Sequence, residues 1–112
     1  GGVWRFLRGR QVLGGTAWFF QCIVRQPGTV SGSVTATDTP VRVPLSSAST
    51  QTVVADIPAG QKQTVSTTFS GTTATEFFAS VAATGTIGGT AKYTITPDFP
   101  SAERGRRRAV HR

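Results

Sequence analysis

The sequence predicts an all-β protein: a small antiparallel β-sandwich of six to seven strands, with extended basic arms at both ends. Three observations predict it. Apolar residues recur at every second position through the middle of the chain, turn-forming residues interrupt that alternation about every ten residues, and serine and threonine fill the intervening positions. A period of two places successive side chains on opposite faces of a sheet, and short strands at such spacing build sandwiches or barrels.

The first clear strand has Val30, Val34 and Ala36 on one face and Thr29, Ser31, Ser33, Thr35 and Thr37 on the other, ending at Asp38-Thr39-Pro40. In the second, Val41, Val43 and Leu45 alternate with Arg42 and Pro44, and a proline without an N–H suggests a sheet edge. Val53, Ala55 and Ile57 form the third. Pro58-Ala59-Gly60-Gln61 then offers a fixed φ followed by a residue tolerant of positive φ, the signature of a type II turn.

Val65 and Phe69 flank Thr67 on the inward face of the fourth strand, with Ser66, Thr68 and Ser70 outward. The fifth carries Phe77, Ala79, Val81 and Ala83 inward against Glu76, Ser80 and Thr84, and Phe78 breaks the polar side. Gly88-Gly89 marks a turn, after which Ala91, Tyr93 and Ile95 alternate with Lys92, Thr94 and Thr96 until Pro97 stops the strand. Gly85-Thr86-Ile87-Gly88-Gly89 lacks the glycine spacing and the following helix of a phosphate-binding loop, so it reads as a hairpin turn.

The N-terminal quarter is harder. Thr16 to Val24 is apolar at both parities, which fits a strand buried on both faces or one covered by a neighbouring chain. Val3, Trp4, Phe6 and Leu7, interleaved with Arg5, Arg8 and Arg10, fit neither period, and Gly9, Gly14 and Gly15 discourage a helix. Two readings stay open: an arm that lies on another molecule, or a segment whose Trp4 and Phe6 cover an end of the domain's own core. The expected division is an arm at 1–15, the sandwich at 16–98 and a basic tail at 99–112.

Charge supports that division. Among 112 residues with a net charge of +7, residues 1–25 carry Arg5, Arg8, Arg10 and Arg25 without an acid. The middle is close to neutral, and the tail sets Arg104, Arg106, Arg107, Arg108 and Arg112 against Glu103 alone. An arginine run without apolar pattern is expected to be ordered only on a partner.

Chemistry is scarce. Cys22 is the sole cysteine and His111 the sole histidine, so neither a disulfide within the chain nor a structural zinc site is expected. Cys22 lies in the apolar run and reads as a small buried hydrophobe, and His111 lies in the tail. Asp38, Asp56, Glu76, Asp98 and Glu103 are far apart in sequence, and no nucleophile motif is present. The expectation is therefore no enzyme, no cofactor and no catalytic or metal-binding residue. Ala17 to Val24, the longest apolar stretch, is too short for a helix that spans a bilayer, so no membrane span is expected.

Ile57-Pro58-Ala59-Gly60-Gln61, leading into Gln63-Thr64-Val65-Ser66-Thr67-Thr68-Phe69, resembles a turn and strand of immunoglobulin-like β-sandwiches of the small bacterial extracellular or phage virion kind. That resemblance implies binding or structural roles and no catalytic residue. The expected function is a structural subunit of a large assembly, a phage or virus particle such as a capsid, decoration or tail protein. Its partners would be copies of itself, neighbouring proteins and, through the basic ends, nucleic acid. An arm from residues 1–25 would add a strand to a neighbouring subunit. The expected contact residues are Trp4, Arg5, Phe6, Arg8 and Arg10 at one end, and Arg104, Arg106, Arg107, Arg108 and Arg112 at the other. The alternatives are a nucleic-acid-binding module that uses the arginine-rich ends, and a secreted or cell-surface bacterial immunoglobulin-like domain. The corresponding locations are the virion and the cell exterior.

Overall fold

The computed structural model describes residues 3–12, 15–84, 94–100 and 107–108. The described strands form two antiparallel sheets. One has the order β1-β2-β7-β4-β5, comprising Val3–Val12, Gly15–Val24, Thr75–Ala83, Val41–Ser47 and Val53–Ile57. The other has the order β6-β3-β8-β9, comprising Gln61–Phe69, Gly28–Ala36, Ile95–Phe99 and Arg107–Arg108. β2 to β7 match six of the strands expected from the sequence, and β8 overlaps the last expected run only at Ile95 and Thr96; Ala91, Lys92 and Tyr93 of that run and the Gly88-Gly89 turn before it lie outside the described residues. β1 and β9 come from the two segments expected as arms.

The alternation sets which faces close the core. Val30, Val34 and Ala36 of β3, Val41, Val43 and Leu45 of β4, and Phe77, Ala79 and Val81 of β7 are all buried between the sheets. Their serine and threonine neighbours point away from the core. The turn after β5 forms as the sequence predicts: Gly60 has φ +85°, and Gln61 N–H donates to the Pro58 carbonyl at 3.2 Å. That φ belongs to the third position of a type II turn.

Residues 3–12 are no extended arm. β1 pairs with β2 from Val3↔Ile23 to Val12↔Gly15 and closes one edge of the domain's own sheet. Trp4 is 2% exposed. Its backbone N–H donates to the Pro100 carbonyl at 2.9 Å and its indole Nε1 to the Ser31 carbonyl at 2.8 Å. A tryptophan buries more apolar area than most side chains and still needs a partner for its N–H, and the sandwich interior offers both. The folded unit accordingly runs beyond the expected 16–98 limits, from Trp4 to Phe99.

An aromatic chain joins the sheets at this end. Phe20 stacks on Phe99 at 4.4 Å with the rings 9° from parallel, Trp4 meets Phe99 edge-on at 5.0 Å, and Phe6 meets Phe20 edge-on at 5.6 Å. Phe99 sits over Gly32, where a Cβ would overlap the Phe99 ring. Glycine at that point in β3 is what lets the ring lie against the sheet.

Two prolines depart from expectation. Pro44 does not mark an edge, because β4 lies between β5 and β7. Its pairing with β7 runs through Val41↔Ala83 and Arg42↔Ala82, lapses at Val43 and Pro44, and resumes at Leu45↔Ala79. A missing N–H is tolerated inside a sheet because the ladder opens locally around it. Pro97 does not stop β8, which continues to Phe99. β9 pairs only with Asp98 and Phe99, so the side of β8 away from β3 is open at Pro97 among the described residues.

Candidate interaction face

The sheet face turned away from the core on β1, β2, β7 and β4 is assembled by a β-bulge. In β1 the register steps from Phe6↔Phe20 directly to Arg8↔Phe19, leaving Leu7 without a partner. Before the bulge, Trp4 and Phe6 point inward and Arg5 outward. An unbroken strand would then turn Arg8 and Arg10 into the core. The extra residue restores them to the outer face, so Arg5, Arg8 and Arg10 stand in one row along the edge strand. Bulges commonly re-aim side chains in this way. It also explains why this segment fits no single period.

Beside that row lies an apolar one. Four of the core-facing side chains of β2, Trp18, Phe20, Cys22 and Val24, are buried, whereas Phe19 is half-buried and Ile23 is 42% exposed on the outer face. A strand apolar at both parities is thus fully buried on its core face and only partly on the other, where Ala17 is buried as well. Phe78 on β7, the residue that breaks the polar side of its strand, is 44% exposed. Leu7, Phe19, Pro44 and Phe78 line an open groove of about 240 Å³, with the Ser46 and Ser80 side chains at its wall.

Charge on this face is unevenly balanced. The Arg8 guanidinium lies over the Phe19 ring at 4.9 Å from its centroid, and Arg5 Nε donates to Gln21 Oε1 at 3.1 Å. Gln21 in turn donates to Glu76. Arg42 is held by Asp56 at 2.8 Å, an exposed pair that contributes little to stability. Among the described residues, no acid lies within ion-pair distance of Arg5, Arg8 or Arg10. The face therefore combines the exposed Phe78 ring and the half-buried Phe19 ring with a row of cations, a surface suited to anions and planar groups.

The expected contact residues are distributed unequally over the structure. Arg5, Arg8 and Arg10 come together on the outer face. Trp4 does not join them, because it is buried in the core. Phe6 is half-buried against Phe20. Arg107 and Arg108 have their backbone in β9, opposite Phe99 and Asp98, and Arg104, Arg106 and Arg112 lie outside the described residues, as does His111. Sequence reasoning did not select Phe19 or Phe78, although the double-sided apolar pattern of β2 and the break at Phe78 were the signals for both.

Cys22 is fully buried, and burial pushes its thiol up to about 11. It is held as the neutral thiol, a small apolar group in the core. Among the described residues, no group of three His, Cys, Asp or Glu side chains could hold a metal ion. No helix among the described residues is long and apolar enough to cross a membrane. At the end of the sandwich, hydroxyls of Ser49, Thr50, Thr68 and Thr73 line a second open depression beside Phe69.

No family model matches the sequence, and no curated protein does. Among solved structures, peruvianin-I, a cysteine peptidase from Thevetia peruviana latex, is similar over 67% of this chain at 19% identity, with a TM-score of 0.27. The chain spans about half of that protein, 55% of its length.

Proposed function

We propose that the protein is a non-enzymatic structural subunit of a large assembly, a phage or virus particle, whose terminal strands make contacts between subunits. The observation that carries this reading is the antiparallel pairing of Asp98↔Arg108 and Phe99↔Arg107. A two-residue strand from an arginine-rich segment here completes the edge of the β6-β3-β8 sheet. Sheet edges present unpaired backbone groups, and a strand from another chain satisfies them as well as one from the same chain. Exchange of identical elements between copies keeps every contact while linking the subunits. The two layers of antiparallel strands, with crossovers between them, support reading the sandwich as immunoglobulin-like within this proposal.

A mixed-disulfide experiment tests exchange directly. One sample carries Asp98→Cys and the other Arg108→Cys, and the two are mixed and oxidised. Since Cys22 is buried, it does not compete. Covalent dimers that contain one chain of each kind are the expected product. Cross-linking confined to a chain that carries both substitutions would show that the segment stays at home, and would leave a free immunoglobulin-like domain as the better reading.

A further inference from the structure

We infer that the outer face of β1, β2 and β7 is a binding site for single-stranded nucleic acid, with the strand's phosphates along Arg5, Arg8 and Arg10 and its bases on Phe78 and on the Arg8 guanidinium that covers Phe19. This site goes beyond the assembly reading and does not depend on it. It is also distinct from the arginine-rich ends, since its cations belong to the folded sheet.

The argument starts with the charge. A second copy docking by the same face would set one arginine row against another, and like charges brought together oppose association. The face carries two acids, Asp56 paired with Arg42 and Glu76 hydrogen-bonded by the neutral Gln21 amide, so with Arg5, Arg8, Arg10 and Arg42 against them it stays net cationic, and Arg8 and Arg10 face no acid among the described residues. The occupant that complements the row is therefore a polyanion. Arg8 and Arg10 are two residues apart on a strand, roughly 6.6 Å, so the row is an extended line of cations for a chain with regularly repeated charges.

Polyanions differ in what else they bring, and the apolar half of the face selects among them. Phe78 is 44% exposed and offers an open ring, while Phe19 already carries a guanidinium against its face. A guanidinium held over a phenyl ring offers a planar cationic group against which a base can pack. The groove between these rings is walled by Ser46 and Ser80, whose hydroxyls both donate and accept. Flat π-surfaces beside a cationic track are how proteins hold single strands without reading their sequence. An acidic peptide would use the cations and leave the rings without planar partners. Duplex DNA would keep its bases stacked away from them.

The test uses the full chain and a fluorescein-labelled oligothymidylate of about 12 nucleotides, followed by anisotropy. Phe78→Ala, at an exposed position, is expected to leave the melting temperature in place and weaken binding by roughly 5- to 150-fold, the value of one stacked base. Arg8→Lys keeps the charge and loses the planar guanidinium over Phe19, so it too should weaken binding. A chain with Arg104, Arg106, Arg107, Arg108 and Arg112 changed to Gln should still bind, with the Phe78→Ala loss intact. Three phosphate contacts on a single strand then set a log–log salt slope of about −2 for that chain. Binding that is unchanged in Phe78→Ala, that vanishes with the tail arginines, or that polyglutamate competes as well as the oligonucleotide does would overturn the assignment.

Discussion

The indole Nε1 of Trp4 donates to the backbone carbonyl of Ser31 at 2.8 Å, a bond across 27 residues that ties the first strand of one sheet to the second strand in order of the other. With the Trp4 N–H on Pro100 and its ring against Phe99, this side chain fastens the N-terminal strand to the end of β8. Trp4→Ala is expected to cost about 3–5 kcal/mol of stability, the range for removing a large buried aromatic. Trp4→Phe should cost less, about 1–2 kcal/mol, chiefly by leaving the Ser31 carbonyl without its donor. Urea unfolding followed by circular dichroism measures both. A Trp4→Ala protein as stable as the wild type would mean that β1 is dispensable to the domain.

Gly32→Ala is expected to destabilise the fold by about 1–3 kcal/mol, since the new Cβ overlaps Cδ2 and Cε2 of Phe99. Shrinking the ring relieves the overlap. Gly32→Ala combined with Phe99→Leu should therefore be less unstable than the two single changes added together, and a double-mutant cycle on unfolding free energies reads that coupling.

Deleting Leu7 should be tolerated. The residues on either side of it already occupy consecutive registers, Phe6 opposite Phe20 and Arg8 opposite Phe19, so removal closes the bulge and keeps every facing intact. Deleting Ser33, where β3 and β6 pair without interruption, shifts half of β3 by one residue and turns its apolar side chains outward. Thermal melts of the two deletions should differ sharply, with the Leu7 deletion near the wild type and the Ser33 deletion unfolded.

Burial of Cys22 makes a pH prediction with a definite sign. Folding raises the thiol from 9.0 to about 11, so between those values the unfolded chain loses its proton while the native chain keeps it. Ionisation then favours the unfolded state, and the contribution present below pH 9 is lost as pH rises to about 11. The stability advantage of wild type over Cys22→Ala should be flat below pH 9 and shrink by about 3 kcal/mol above it. Alkylation of native Cys22 should also be slow at pH 8 and become fast on unfolding. Rapid labelling of the native protein would contradict its burial.

Much of the fold was legible because the middle strands keep one period. Val30 to Ala36 and Val41 to Leu45 alternate cleanly, Phe77 to Val81 does so except at Phe78, and Pro58-Ala59-Gly60 carries its turn chemistry in its own residues. The N-terminal segment resisted reading because the bulge at Leu7 changes parity within one strand, which no single period can describe. Pro44 points to an edge because it lacks an N–H, whereas the ladder between β4 and β7 yields beside it. The outer face was only half legible: the arginines stood out as charge, but Phe19 and Phe78 became surface residues only once both neighbours of β2 were known. The placement of β9 depends on a two-residue pairing with no apolar pattern to announce it.

The central claim, that this sandwich works as a subunit among others, is tested most directly by native mass in solution at low and high salt, with the ratio of absorbance at 260 and 280 nm taken before and after nuclease. A large oligomer that persists in high salt and after nuclease is the expected result. A monomer at both salts would contradict it.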